Sequence, residues 1–277
     1  MRRIVVTGGS GKAGRRVVTD LKEHGYEVRN VDSGASRDHD TSTVVADLTD
    51  LGQTFQALTE ADAVVHLAAI PGPYILSDDA TFRINTLSTY NVFSAALALK
   101  LERVIWASSV TLIGVPFDRE QPAYAPIDER HPSLAENHYA LSKLIGEELA
   151  AQFSRWSGTP FVGLRYASIM EEHDYKGFPD FWDDFSIQRW DLWSYVDAQD
   201  VAQATRLALE SDTSGSENFL VAAANTCMTT PSSELMAKVF PKVPIRNELG
   251  EFESLVSTDK ARSMLGYEPK HSWRAYI

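Results

Sequence analysis

The chain has 277 residues, of which 44% are hydrophobic and 23% are charged, a composition typical of a globular protein. Its formal net charge is −12, so it lacks the basic character that nucleic-acid-binding proteins need. The single cysteine, Cys227, excludes an internal disulfide, and no cysteine–histidine cluster has the spacing of a zinc site. The start of the sequence does not read as a signal peptide, and no apolar run is long enough to span a membrane. We therefore expect a cytoplasmic protein without nucleic-acid, membrane or metal partners.

Short β-branched runs alternate with longer segments of helical periodicity through the first two thirds of the chain. The predicted strands lie at 4–8, 26–32, within 41–50, and at 63–69, 103–109 and 160–166. The predicted helices lie at 14–25, 51–60, 80–100, from Ser133 or Tyr139 to Trp156, and at 195–210, the last capped by Asp197 or Asp200. This alternation predicts an α/β fold of the Rossmann type, with a doubly wound parallel sheet that binds ligands at the carboxyl ends of its strands.

A glycine-rich loop, TGGSGKAG at 7–14, lies between the first predicted strand and the first predicted helix. Gly8 permits the tight turn, Gly11 lets a pyrophosphate approach the backbone, and Gly14 permits close packing of the helix on the sheet. Asp32 closes the second strand, where it would bind the adenosine ribose hydroxyls and repel a 2′-phosphate. The loop therefore predicts a dinucleotide cofactor, NAD rather than NADP, a preference that Arg37 would soften.

Further motifs follow the loop in order: ADLTD at 46–50, HLAA at 66–69, Asn85 opening NTLSTYNVF, ASSVTLIG at 107–114 and STDKARSMLGYEP at 257–269. From residue 4 to about 270 the chain thus resembles the extended short-chain dehydrogenase/reductase family, the NAD-dependent epimerase/dehydratase group. The resemblance implies cofactor contacts from Gly8, Gly11, Lys12, Ala13, Gly14, Asp32, Ser33, Asp47, Leu48, Leu67, Ala68, Ala69, Asn85, Tyr139 and Lys143.

The resemblance also implies a catalytic set, in which Ser109 takes the place of the family's Ser/Thr and HYALSK at 138–143 supplies Tyr139 and Lys143. A free phenol has a pKa of about 10, too high for a base at neutral pH. An ammonium stabilises the phenolate, so Lys143 is expected to lower the pKa of Tyr139, as would the positive nicotinamide ring. Ser109 would bind the substrate oxygen and direct its proton to Tyr139.

The substrate residues resemble those of a compact branch of the family, the uronate dehydrogenases, which oxidise the anomeric carbon of an aldohexuronic acid to a lactone. By that resemblance Ser168 and Lys176 would hold the substrate's hydroxyls and carboxylate, beside Ser109, Val110 and Thr111. The match is incomplete, because Val110 and Thr111 stand where that branch has an Asn-His pair. We therefore expect a related pocket with a different lining.

The sequence thus predicts an NAD-dependent oxidoreductase that oxidises a hydroxyl of a free sugar or sugar acid, with Tyr139 as acid/base. An alternative is an NAD-dependent epimerase or dehydratase, acting on a sugar or nucleotide sugar, that keeps NAD bound and returns the hydride. A redox-sensing protein that reads the NAD pool fits less well, since such proteins tend to lose the Tyr/Lys pair. The resemblance further implies a homodimer formed through the helices at 80–100 and 139–156.

The domain organisation follows from the same pattern. We expect residues 1–165 to form the NAD-binding core, with further core elements from about 195–225. Residues 166–277 lack the regular alternation of strand and helix, so they are expected to form mainly a small substrate lobe, in one compact unit with the core.

Overall fold

A computed structural model describes residues 2–35 and 42–277; Arg37, the expected modifier of cofactor preference, lies outside them. The strands are β1 (Arg3–Thr7), β2 (Glu27–Asp32), β3 (Thr43–Val45), β4 (Ala63–His66), β5 (Arg103–Ser109), β6 (Phe161–Tyr166), β7 (Ser168–Met170), β8 (Tyr195–Asp197) and β9 (Ser216–Val221). The α-helices are α1 (Lys12–Glu23), α2 (Leu51–Leu58), α3 (Asp78–Ala98), α4 (His138–Ser157), α5 (Ala198–Glu210), α6 (Ser232–Val239) and α7 (Asp259–Leu265). Short 3-10 helices occupy Val110–Ile113, Glu172–Phe181, Arg189–Asp191 and Trp273–Ala275.

Seven of the strands form one parallel sheet in the order β3-β2-β1-β4-β5-β6-β9. At its centre, Val6 of β1 lies between Asn30 of β2 and Val65 of β4. The strand order reverses direction between β1 and β4, so the loops that follow these two strands separate and open a crevice at the carboxyl edge. β7 and β8 form a separate parallel pair. The predicted Rossmann-type sheet is confirmed.

Hydrophobic side chains alternate along the central strands and point to opposite faces of the sheet. Ile4 and Val6 pack in a core with α1 and α5, whereas Val5 and Val64 pack with α2, α3 and α4. The helices pair accordingly: α1 packs on α5, and α3 packs on both α2 and α4. One helix layer therefore covers each face, which buries the sheet as parallel sheets require.

Short polar residues fix the starts of the two long helices. Ser77 caps α3 by accepting a hydrogen bond from the N–H of Ala80, and Asn137 caps α4 by accepting one from the N–H of Ala140. Because such a cap satisfies a backbone donor that the helix leaves unpaired, it stabilises the first turn at that position. Of the two starts predicted for α4, the one near Tyr139 is confirmed.

The helix predicted at 195–210 begins only at its fourth residue, since its first three residues form β8. Asp197 is the cap, and its side chain accepts a hydrogen bond from the N–H of Gln199. Asp200, the other predicted cap, has a different partner: its carboxylate accepts hydrogen bonds from the backbone N–H and the Nδ1 of His271. Asp200 therefore ties the C-terminal segment to α5.

The last strand of the sheet, β9, comes from the C-terminal third of the chain. After β9 the chain forms α6, α7, the 3-10 helix Trp273–Ala275 and their connecting loops. The division into 1–165 and 166–277 stays a prediction. None of the helices in the described ranges combines the length and the apolar composition that a bilayer-spanning helix needs.

Candidate active site

The loop after β1 brings backbone against backbone at two of its glycines. Gly8 has φ +72°, and a Cβ added there would lie 2.6 Å from the backbone nitrogen of Ala68. A Cβ added at Gly14 would lie 2.1 Å from the carbonyl oxygen of Gly8. Both positions therefore require glycine. Gly11, the N-cap of α1, forms no side-chain hydrogen bond with the first turn, so this helix N-terminus is suited to a phosphate.

Two carboxylates that the sequence assigns to the adenosine half of the cofactor lie next to β2 and β3. Asp32 accepts hydrogen bonds from the N–H groups of Ser10 (3.0 Å) and Ser33 (2.8 Å). Asp47 accepts from both the hydroxyl and the N–H of Thr49, and these bonds lower the pKa of its carboxyl. Each carboxylate is thus fixed in orientation before a ligand arrives.

A cavity of about 1360 Å³ connects the glycine loop with the carboxyl ends of β4, β5 and β6. The predicted cofactor residues on its wall are Gly8, Gly11, Lys12, Ala13, Gly14, Asp32, Ser33, Asp47, Leu48, Leu67, Ala68, Ala69, Tyr139 and Lys143. The predicted substrate residues on its wall are Ser109, Val110, Thr111 and Ser168. The fold therefore gathers most of the predicted site into one space, but it leaves Asn85 and Lys176 off the wall.

Asn85 is buried behind the cavity wall. Its Oδ1 accepts a hydrogen bond from the N–H of Ile70 at 2.7 Å, and its Nδ2 donates to the carbonyl of the same residue at 3.1 Å. Nδ2 also donates to the hydroxyl of Ser142 on α4 at 3.4 Å. Because Ile70 lies in the middle of the wall segment 67–73, Asn85 holds that part of the wall in place. Its direct contact with the cofactor stays a prediction.

Ser109, Tyr139 and Lys143 meet where the end of β5 faces the first turns of α4. Tyr139 and Lys143 are both buried on this helix, and the Nζ of Lys143 lies 5.6 Å from the centre of the phenol ring. Ser109 is hydrogen-bonded to Tyr139, and its Oγ accepts a hydrogen bond from the hydroxyl of Thr111 at 2.9 Å. The Nζ of Lys143 donates to the carbonyl of Ala107 at 2.7 Å. The fold thus places all three predicted catalytic side chains within one site.

Burial governs the ionisation of this group. It raises the pKa of Tyr139, although the hydrogen bond with Ser109 acts in the opposite direction, and it lowers the pKa of Lys143 to about 8. The expectation that Lys143 would bring the phenol's pKa below its usual value is therefore wrong for the protein alone. The cost of burying a phenolate outweighs the hydrogen bond, and the ammonium is directed at the Ala107 carbonyl instead.

His66, at the end of β4, lies between the glycine-loop strand and α3. Its Nδ1 is 2.7 Å from the hydroxyl oxygen of Thr7, and its Nε2 is 3.3 Å from that of Thr89. Burial, together with the charge of Lys143, lowers the pKa of His66 to about 3. The imidazole is therefore neutral and serves as a core residue.

A buried ion pair holds α4 against the sheet one turn beyond Lys143. Nε and Nη2 of Arg165 on β6 each donate to the carboxylate of Glu147 at 2.8 Å. The hydroxyl of Ser108 on β5 donates to the same carboxylate at 2.7 Å. Sequence reasoning missed this network, although Glu147 repeats the four-residue spacing of the Tyr–Lys pair. Its position indicates that it fixes the helix that carries Tyr139 and Lys143.

The predicted substrate residues separate in the structure. Ser168, at the start of β7, lines the cavity and donates a hydrogen bond to Oδ2 of Asp191 at 2.9 Å. Lys176 lies in the 3-10 helix Glu172–Phe181, where it is exposed and off the cavity wall. A role for Lys176 in holding a substrate carboxylate stays a prediction. Asp191 was missed, because no local pattern links a residue in an irregular segment to a strand 23 residues earlier.

Comparison with known proteins gives the family. A family model described as "NAD dependent epimerase/dehydratase family" matches residues 4–222. An L-arabinose 1-dehydrogenase (NAD(P)(+)) of Haloferax volcanii is 28% identical over 218 residues, 76% of this chain and 84% of that protein. A uronate dehydrogenase of Pseudomonas syringae pv. tomato is 25% identical over 186 residues, 65% of this chain and 64% of that protein. A solved UDP-glucose 4-epimerase of Thermotoga maritima with UDP-glucose shares the fold, with TM-score 0.75, 21% identity and coverage of 99% and 96%.

The chain therefore belongs to the NAD-dependent epimerase/dehydratase family, and the resemblance inferred from its motifs is confirmed. It is an enzyme of this family with NAD as its cofactor. The residues of the cavity wall fit NAD. The glycine loop leaves no room for side chains at Gly8 and Gly14, and Asp32 faces the cavity. Tyr139 and Lys143 lie on the same wall as the loop, where the reactive end of the dinucleotide would be held.

Proposed function

We propose that the protein is an NAD-dependent dehydrogenase that oxidises a hydroxyl group of a free sugar or sugar acid. The observation that carries this proposal is the cavity, whose wall combines the glycine loop with Ser109, Tyr139 and Lys143. NAD, when bound, supplies the acceptor for the hydride. Proton transfer and the orientation of the substrate then fall to the chain itself.

Three side chains divide that work. Tyr139 takes the proton of the substrate hydroxyl as the hydride leaves the same carbon, and Ser109 hydrogen-bonds the reacting oxygen. Lys143 places a positive charge beside the phenol ring. Because burial holds the pKa of Tyr139 above its usual value, proton transfer depends on this charge and on that of the oxidised cofactor.

The wall supports a small substrate. Among the described residues, those that line the cavity lie between Gly8 and Ile169, so the chain after Ile169 contributes none of the lining. Among the residues that the structure describes, the cations on the wall are Lys12, Arg83 and Lys143, and Lys12 is already ion-paired within the protein. A nucleotide sugar would bring a second diphosphate to a wall whose described part has few cations left to bind it. This favours a free sugar.

Two of the relatives support the same substrate class, while UDP-glucose 4-epimerases are also among the sequence matches. The sequence matches include dehydrogenases named for L-arabinose, a neutral aldose, and for uronates. Of these two, the neutral sugar fits the wall better, because Lys176, the cation expected to hold a uronate carboxylate, is exposed and off the wall. We therefore propose an aldose as the preferred substrate, with a uronate as the second choice.

A second candidate function is the epimerisation or dehydration of a sugar or nucleotide sugar, with NAD kept bound. The shared fold with a UDP-glucose 4-epimerase and the family itself favour it. This chemistry uses the same Tyr139 and Lys143 but returns the hydride to the substrate. It therefore predicts NAD that stays with the protein through purification and no net formation of NADH.

A substrate panel tests the proposal. The purified protein and NAD⁺ are incubated with L-arabinose, other aldoses, uronates and UDP-sugars, and NADH absorbance is followed while products are separated by chromatography. We expect net NADH with a free sugar and none with UDP-sugars. Conversion of a UDP-sugar without net NADH, combined with no reaction of any free sugar, would establish the second candidate instead.

We also propose a homodimer formed through α3 and α4, in a cytoplasmic protein. Leu87, Tyr90 and Leu141 on these helices are 37%, 45% and 38% exposed, an apolar surface that a second copy would cover. Sedimentation equilibrium tests this: the wild type should be a dimer and Leu141→Arg a monomer. A monomeric wild type would contradict it.

A further inference from the structure

A carboxyl group is buried directly behind the substrate side of the cavity wall. Asp191 ends the 3-10 helix Arg189–Asp191 and is only 1% exposed. Its Oδ2 accepts the hydrogen bond from Ser168, whereas its Oδ1 is buried and accepts no well-formed hydrogen bond. Burial raises the pKa of this carboxyl to about 8, even though the bond from Ser168 and the backbone N–H groups of Asp191, Trp193 and Ser194 act in the opposite direction. A buried acid of this kind destabilises the fold unless it has a strong partner.

The backbone that holds Asp191 in this place is also unusual. Leu192 and Trp193 have φ values of +54° and +53°, in the left-handed region that residues with a Cβ rarely occupy. The fully buried indole of Trp193 anchors the turn by donating a hydrogen bond from Nε1 to the carbonyl of Phe185 at 3.0 Å. The buried carboxyl of Asp191 and the left-handed backbone that follows it are both unfavourable, and neither strengthens the core. Together they indicate a functional constraint at this turn.

The hydrogen bond from Ser168 indicates what the Asp191 carboxyl does in the site. Ser168 lines the cavity, and its only hydroxyl proton is directed at Asp191. In this structure Oδ2 accepts the hydrogen bond from the Ser168 hydroxyl, which leaves the lone pairs of the Ser168 Oγ to accept a hydrogen bond from a group in the cavity. A sugar hydroxyl provides that donor, whereas a carboxylate or phosphate oxygen has no proton to give.

We propose that Asp191 is a positioning residue that turns Ser168 into an acceptor for one particular hydroxyl of the substrate. This inference rests on the proposed function and narrows it: the part of the substrate next to Ser168 is a hydroxyl-bearing carbon, not an acidic group. A site built to bind a hydroxyl rejects an analogue that lacks it, because the buried acceptor is left unpaired. Ser168 and Asp191 together therefore determine which sugar is accepted.

The test compares a sugar with its monodeoxy analogues in four proteins: wild type, Ser168→Ala, Asp191→Leu and Ser194→Ala. Leucine keeps the branched shape of aspartate without its oxygens. Ser194 is the matched control, since it is buried in the same turn and its hydroxyl donates to the backbone carbonyl of Asp191, not to the carboxyl. KM and kcat are measured with L-arabinose and each analogue, and the dissociation constants of the same sugars for the NADH-loaded protein are measured by calorimetry.

For one analogue we expect the wild type to show a KM at least about tenfold above that of the parent sugar, corresponding to one lost hydrogen bond. This ratio should fall close to one in both Ser168→Ala and Asp191→Leu, and it should be unchanged in Ser194→Ala. A merely structural role of Asp191 would leave the ratio unchanged in Asp191→Leu, and that result overturns the inference while leaving the proposed dehydrogenase intact.

The calorimetric dissociation constants test the role of Asp191 separately from the proposed dehydrogenase activity. If no free sugar is oxidised but sugars bind with the same pattern of ratios, the proposed function fails and the role of Asp191 stands. If no free sugar binds to the wild type at all, both fail. If Asp191→Leu misfolds, Ser168→Ala still tests the inference. An unchanged ratio of KM between the deoxy analogue and the parent sugar in Ser168→Ala would overturn the hydroxyl site.

Discussion

Replacing Asp191 with asparagine should change how the stability of the protein depends on pH. Burial raises the pKa of this carboxyl to about 8 in the folded protein, against the ordinary value of 3.8 that applies to the unfolded chain. Between these two values the folded protein keeps a proton at Asp191 and the unfolded chain does not. The free energy of unfolding of the wild type therefore falls as pH rises through this window. Below about pH 4 the residue is protonated in both states and adds no pH dependence.

The size of this change in the free energy of unfolding follows from the pKa of Asp191 in the folded protein and in the unfolded chain. A fully protonated folded state and an ionised unfolded state differ by one proton, which gives a slope of about 1.4 kcal/mol per pH unit. Across the roughly four units between pKa 3.8 and about 8, this amounts to about 6 kcal/mol as an upper bound. Relaxation around a buried carboxylate reduces the real penalty, so we expect about 2–5 kcal/mol for Asp191.

Urea unfolding followed by tryptophan fluorescence, at pH values from about 5 to 8, measures the effect for wild type and Asp191→Asn. The stability of the variant relative to wild type should rise steadily with pH. Cys227, whose pKa burial also raises, is present in both proteins and cancels from the difference. Asp184→Asn is the control, because Asp184 has a lowered pKa and should show no such rise. Parallel curves for wild type and Asp191→Asn would refute the reasoning.

Three further substitutions test the cofactor site and the helix that carries the catalytic pair. Gly14→Ala places a Cβ 2.1 Å from a backbone carbonyl oxygen, so NADH binding in a fluorescence titration should weaken by about tenfold or more. The control is Gly177→Ala, whose Cβ has nothing within 4 Å, and this variant should bind NADH as the wild type does. Glu147→Gln leaves a buried arginine without its carboxylate and should lower the free energy of unfolding by about 3–5 kcal/mol. Glu234 forms an exposed ion pair with Lys238, so Glu234→Gln should change the free energy of unfolding by less than about 1 kcal/mol. Equal losses of stability in Glu147→Gln and Glu234→Gln would contradict the account. Asp32→Ser removes the carboxylate that would repel a 2′-phosphate, so kcat/KM with NADP relative to NAD should rise by about tenfold or more, and an unchanged ratio would argue against this role.

The fold could be predicted because its signals are local. The strand β5 coincides with the prediction at 103–109, since a short apolar run ending in two serines has the period and length of a buried strand. The start of α4 could be narrowed to two positions, but only the cap at Asn137 decides between them. The first three residues of 195–210 form a short strand that pairs with β7, a contact that no local pattern reveals.

The candidate site was predictable where a residue's role depends on its neighbours in sequence, as for Gly8 and Gly14. It was not predictable where the role depends on packing across the chain. The raised pKa of Tyr139 comes from burial by distant elements, and the bond between Ser168 and Asp191 joins a strand to an irregular turn. Both are consequences of the tertiary structure, which periodicity and spacing do not contain.

The central claim, that the chain oxidises a free sugar through Tyr139, is tested most directly by the stoichiometry of NADH formation with wild type and Tyr139→Phe. One NADH should form for each molecule of sugar oxidised by the wild type, and the rate should be lower by about 10²- to 10⁴-fold in the variant, a loss much larger than any change in NADH binding. A Tyr139→Phe protein that oxidises the sugar at the wild-type rate, or a wild type that converts its substrate without any net NADH, would contradict it.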